Sequence, residues 1–126
     1  MPIPDTLVII HYHLLPGGVC SAIKNSVFAL SRSGWFAHRT LRVLTGRTDG
    51  VAEFTEYLHR MGIQVEVEVD ARLDYSNRVW SEQDEFWYEA SALATWLLQQ
   101  GRDTSLFWTH NPTLGKNALL TAALML

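Results

Sequence analysis

Cysteine is almost missing from this chain: Cys20 stands alone among 126 residues. A single thiol excludes an internal disulfide framework and a cysteine-built zinc site. It fits a reducing compartment, so a cytoplasmic location is expected. Basic runs are missing too. Ten Lys and Arg against thirteen Asp and Glu leave a net charge of −3, and the basic residues are scattered. No nucleic-acid footprint results, and no nucleic-acid partner is expected. No apolar run approaches the ~20 residues that cross a bilayer, so no transmembrane segment is expected. Met1 to Asp5 has neither the basic nor the apolar block of a signal peptide. Internal repeats, low-complexity tracts and an interdomain linker are also lacking. What remains is 48% hydrophobic, ample for a buried core. The length suits one domain over 1–126, or part of one.

The apolar residues fall into two periods. Thr6 to Tyr12 (TLVIIHY) is a continuous apolar run with the β-branched content of a strand buried on both faces, as in a parallel sheet. The breaker-rich HLLPGG follows it. Val19, Ile23, Val27 and Leu30 then recur at helical spacing up to a stop at Gly34. Thr40 to Thr45 (TLRVLT) predicts a second strand. Val51, Phe54, Leu58 and Met61 mark one face of a short helix stopped by Gly62. Ile63 to Val69 (IQVEVEV) alternates strictly and predicts an edge strand with a solvated face. Asp70 to Glu82 is aperiodic and polar, an expected exposed loop. Gln83 to Gln100 predicts the longest helix, with Phe86, Ala90, Leu93 and Leu97 inward. Thr104 to Thr109 predicts the fourth strand, and Lys116 to Leu126 opens a very apolar helix.

Strands alternating with helices predict an α/β fold of the Rossmann-like three-layer kind. The expected sheet is parallel, of about four strands in the order 3-2-1-4. In that order the fourth strand is an unprotected apolar edge, a template for pairing with another chain. The apolar ending ALLTAALML adds to this. The expectation is either an incomplete domain of a longer protein or a homo-oligomer built through the fourth strand or last helix.

Two turns concentrate the polar chemistry. The first is His11 to Gly18, after strand one. A glycine pair between a strand and a helix lets backbone N–H groups approach an anion at the helix N-terminus. The later glycines of G-x-G-x-x-G are missing, and a plain tight turn explains the pair equally well. His11 and His13 share one face, but no third ligand is spaced to complete a metal site. The second turn is His110 to Asn117 (HNPTLGKN). Gly115 and Lys116 match the register of a phosphate-binding G-x-x-x-x-G-K-[ST] loop. His110 replaces its first glycine, Asn117 its hydroxyl, and Pro112 removes a donor. The match is therefore read as accidental, with Asn117 or Thr113 as a helix cap. Cys20 lies at a helix start, where a thiol is readily activated. No histidine is placed by local sequence as its base, which favours a buried structural cysteine. Glu82, Asp84, Glu85 and Glu89 suit the N-terminus of the longest helix.

Together, HYHLLPGGVCSAIKNSVFALSRSG and HNPTLGKNALLTAALML resemble the first strand–turn–helix and the histidine turn of the N-terminal domain in retaining GT-B glycosyltransferases. The resemblance spans nearly the whole chain by order of elements, and its specific part is the two turns. It implies a hexosyltransferase-type activity at a cleft between two Rossmann-like domains. Gly17, Gly18 and Lys116 would bind the donor diphosphate, and His110 would approach the transferred sugar as the catalytic residue. His11, His13, Asn111 and Asn117 would lie on the acceptor side. Neither metal nor other cofactor is implied. The family's C-terminal nucleotide-sugar domain has no counterpart here. Nucleotide sugar and acceptor are therefore expected as partners only once a second domain completes the site, and the isolated chain is expected to be inactive. The alternative is a stand-alone oligomeric binding module without catalysis. A small phosphate-binding enzyme using His110 and Lys116 is a third reading.

Overall fold

In the computed structural model, residues 5–101, 105–109 and 116–126 are described. Strand β1 (Thr6–His11) is followed by helix α1 (Gly18–Arg32), a 3-10 turn (Trp35–His38) and strand β2 (Thr40–Thr45). Helix α2 (Val51–Arg60), strand β3 (Val65–Val69) and a second 3-10 turn (Ala71–Leu73) come next. Helix α3 (Gln83–Gln100), strand β4 (Ser105–Thr109) and helix α4 (Ala118–Leu124) complete the order.

The four strands form one sheet in the order β3-β2-β1-β4, with every pair parallel. This is the α/β Rossmann-like three-layer architecture that the alternating elements imply. All six residues of β1 are buried, because helices cover both faces of the central strand. Leu7 and Ile9 point into a core with Ile23 and Val27 of α1 and Phe54 and Leu58 of α2. Val8 and Ile10 point the other way, against Ala90, Leu93 and Leu97 of α3 and Leu120 and Ala123 of α4. The period of two in β1 thus meets the helical period on both sides.

Parallel strands bring their carboxyl ends to one rim. His11 is level with Thr45, Thr45 with Val69, and Ile10 with Thr109. The two outer strands differ. On β3, Glu66 and Glu68 are held by Arg42 at 3.1 and 3.7 Å, charge of the kind that blunts an edge. β4 carries no charge and leaves Leu106 and Phe107 exposed.

The aperiodic segment Asp70 to Glu82 is largely the exposed loop expected, and departs from it only at the 3-10 turn Ala71–Leu73. Asp70 caps the second 3-10 turn by accepting from the Arg72 N–H at 2.9 Å, and Leu73 is fully buried in the core under α3 and α4. One leucine and one cap anchor the start of a segment that has no hydrophobic period.

Candidate functional site at the carboxyl rim

The rim is built from the ends of several elements. β1 ends at His11, and the chain continues with Tyr12 and Leu14 as core anchors, each 2% exposed. His13 is left between them, part-exposed at the surface. The turn then reaches Gly17 and Gly18, where α1 starts. The first intrahelical bond runs from the Ser21 N–H to the Gly17 carbonyl at 2.9 Å. The N–H groups of Gly18, Val19 and Cys20 precede that bond, so they lie at the positive end of a 15-residue helix. No acidic residue sits in its first turn, and among the described residues no side chain caps it.

The two glycines are not demanded by the chain itself. Gly17 is in extended backbone, a conformation open to any residue. A Cβ at either position would meet nothing within 4 Å. Gly46 is the contrast: a Cβ there would fall on the backbone of Asp74. At Gly46 the missing side chain lets β2 touch the segment after β3. At Gly17 and Gly18 it opens a path to the helix N-terminus.

A cavity of about 190 Å³ faces that terminus, bordered by His11, His13, Gly17, Gly18, Tyr75 and Lys116 among others. Five of the residues singled out by the two sequence turns therefore share one space. The parallel sheet is the cause, since β1 and β4 are neighbours whose carboxyl ends lie on the same side.

Within the rim the polar groups are ordered. The Leu15 N–H donates to His13 Nδ1 at 3.2 Å, and His13 Nε2 lies 3.1 Å from the Tyr75 hydroxyl. Burial pushes the His13 imidazole toward its neutral form, Arg47 adds to this, and Asp74 opposes it. Arg47 grips Asp74 with Nε and Nη2, at 2.7 to 3.1 Å, and the hydrogen bonds to Asp74 raise the guanidinium pKa. Asp74 also accepts from the Tyr75 N–H at 2.7 Å. The Tyr12 and Tyr75 rings lie 4.9 Å apart. Burial, followed by Tyr75, pushes the Tyr12 phenol up. The Lys116 ammonium sits 5.4 Å from the Tyr75 ring centre.

Asn117 serves this geometry differently from the acceptor contact implied by the resemblance. It is 1% exposed. Its Oδ1 accepts from the Leu120 N–H at 2.9 Å, which makes it the N-cap of α4. Its two amide protons go to the carbonyls of Arg72 and Asp74 at 2.6 and 2.7 Å. With both protons committed, Asn117 binds the start of α4 to the segment carrying Tyr75. This is the capping role that its position also suggested.

Cys20 is 3% exposed and donates to the Leu14 carbonyl at 3.5 Å. Burial raises its pKa, partly offset by Lys24, so the thiol is a packing residue. Arg78 reaches Glu85 and Glu89 at 3.5 and 3.4 Å, which engages part of the acidic cluster of α3. Among the described residues no group of three His, Cys, Asp or Glu side chains has metal-binding geometry. His110 and Asn111 lie outside the described residues, as do Pro112, Thr113 and Gly115.

Sequence reasoning missed Tyr12, Arg47, Asp74 and Tyr75. Arg47 follows Gly46 just past the second strand, where no motif marks it, and Tyr75 stands in the segment without a period. No helix of the described structure is long and apolar enough to cross a membrane. Comparison of the chain with protein-family models, with curated proteins and with solved structures gives no match in any of the three.

Proposed function

We propose that this chain forms the acceptor-side half of a nucleotide-sugar-dependent glycosyltransferase of the GT-B kind, its carboxyl rim holding the donor diphosphate. The observation that carries the reading is the shared cavity of Gly17, Gly18 and Lys116. Helix-start N–H groups that no described side chain caps, an ammonium group and the space beside two glycines suit a phosphate oxygen cluster. His110 enters through the sequence resemblance, as the residue that approaches the transferred sugar, and Asn111 as its neighbour on the acceptor side. A second domain supplies the nucleotide-binding wall. Without it the substrate is bound on one side only and is not positioned for transfer.

The test is calorimetric titration of the purified chain with inorganic pyrophosphate and with uridine diphosphate. Weak binding to both is expected, roughly tenfold weaker in Lys116→Ala through loss of a charge-assisted contact. Absence of binding to either ligand at millimolar concentration overturns the diphosphate reading. Turnover of a nucleotide sugar by this chain alone overturns the need for a second wall.

One observation favours a second reading, an oligomeric interaction module. Beside β4, a cavity of about 200 Å³ is lined by Ile10, Leu97, Leu98, Phe107, Ala123 and Leu126 among others. An apolar groove next to an unpaired strand edge suits pairing of two copies edge to edge. Sedimentation decides: a concentration-dependent dimer supports this reading, and a monomer at high concentration removes it.

A further inference from the structure

Tyr75 is assigned no role by either sequence turn, yet several groups of the rim converge on it. Its backbone N–H is bound by Asp74. Its ring is flanked by Tyr12, by the His13 imidazole edge-on at 5.3 Å, and by the Arg47 and Lys116 cations at 5.7 and 5.4 Å from its centre. It borders two cavities, the one shared with Gly17 and Gly18 and a second of about 390 Å³ shared with Ser76, Asn77 and Lys116.

The direction of its hydroxyl follows from an obligate donor two hydrogen bonds away. A backbone N–H only donates, so His13 Nδ1, which receives the Leu15 N–H, is an acceptor without a proton. The neutral imidazole must then carry its proton on Nε2, which donates to the Tyr75 oxygen 3.1 Å away. The hydroxyl's own proton is turned away from His13. Among the described residues Tyr75 Oη has no second hydrogen-bond partner.

We infer that the Tyr75 hydroxyl is an oriented donor to a phosphate oxygen of the ligand held at this rim, with His13 as the positioning residue that fixes its direction. The ligand class is a phosphate or diphosphate ester, acceptor-only at its oxygens, and the inference rests on the diphosphate reading above. A ligand presenting an N–H at this point would leave the Tyr75 proton without that partner and is expected to bind less well than an acceptor oxygen.

Two measurements test this. The first needs no ligand: nitrogen NMR of the histidine rings in the native chain. The Nε2–H tautomer is expected for His13; the Nδ1–H tautomer overturns the relay. The second is titration with inorganic pyrophosphate of the native chain, Tyr75→Phe, His13→Ala, the double variant and Lys116→Ala, with a preserved amide spectrum as the check on folding. Tyr75→Phe keeps the ring and is expected to bind about fivefold to tenfold more weakly, the size of one hydrogen bond to a charged group. His13→Ala should cost a similar factor, and the double variant should be no worse than Tyr75→Phe. Independent losses that multiply in the double variant overturn the role of His13. Native affinity in Tyr75→Phe beside a weakened Lys116→Ala overturns the role of Tyr75 and leaves the diphosphate reading standing. No pyrophosphate binding by the native chain overturns both.

Discussion

Among the described residues the carboxyl rim and the β4 flank are both uncovered, but for opposite reasons. At the rim the exposed groups are helix-end N–H donors, an ammonium and a neutral imidazole. Water solvates such groups well, so an isolated chain bears an open rim at little cost. Along the flank the exposed groups are apolar: Leu98 is 75% exposed, Leu126 64% and Leu106 49%. Water solvates these poorly, so covering them is favourable whatever the cover is. The β3 edge shows that the same sheet is able to protect a border, with Arg42 holding Glu66 and Glu68 across it. The lesson is that the rim selects by chemistry and the flank by shape. On the readings proposed above, a small anion would fill the first and a second protein surface would cover the second.

The largest expected effect comes from the one residue that serves both regions. Asn117→Ala removes the cap of α4 on the flank and strands the Arg72 and Asp74 carbonyls beneath the rim. A loss of about 2–4 kcal/mol in urea unfolding is expected, with pyrophosphate binding weakened as Tyr75 loses its support. A change within experimental error would separate the two regions that the structure joins. Next in size, Leu106→Lys places a charge on the bare edge. It should abolish any self-association seen by sedimentation while shifting stability by less than about 1 kcal/mol and leaving pyrophosphate affinity unchanged. Loss of anion binding in that variant would break the separation of rim from flank.

The smallest effect is a pH dependence confined to the rim. The folded chain holds the His13 pKa below its ordinary value of 6.5. The unfolded chain therefore binds the proton more readily, and this contribution to stability is complete above 6.5 and declines as pH falls toward the lowered folded value. Arg47, Asp74, Tyr75, His11 and Tyr12 face the imidazole or its neighbours, with Arg47 favouring the neutral form and Asp74 opposing it. Urea midpoints measured above and below 6.5 should differ less in His13→Asn than in the native chain. A native chain that gains stability on acidification through this window from His13 would contradict the burial argument.

Much of the scaffold is legible in the residues alone. Thr6 to Tyr12 reads as a doubly buried strand, and the strand runs from Thr6 to His11 with every residue buried. Ile23 and Val27, or Leu93 and Leu97, repeat at the spacing that puts them under a sheet. The alternation in β3 likewise marks an outer strand. These signals survive in a sequence because burial is periodic along each element, and because parallel topology then sends the loops after β1 and β4 to one rim. The contents of that rim are another matter. Arg47 meets Asp74 across 27 residues, Asn117 meets Arg72 across 45, and His13 meets Tyr75 across 62. A hydrogen bond between distant side chains leaves no repeat in either segment, and any Arg, Asp or Tyr in a loop looks like any other. Local periodicity thus determined the layers and where the open rim lies, while only the folded packing decided that Tyr75, drawn from the least patterned stretch, stands beside Lys116 with its hydroxyl set by His13.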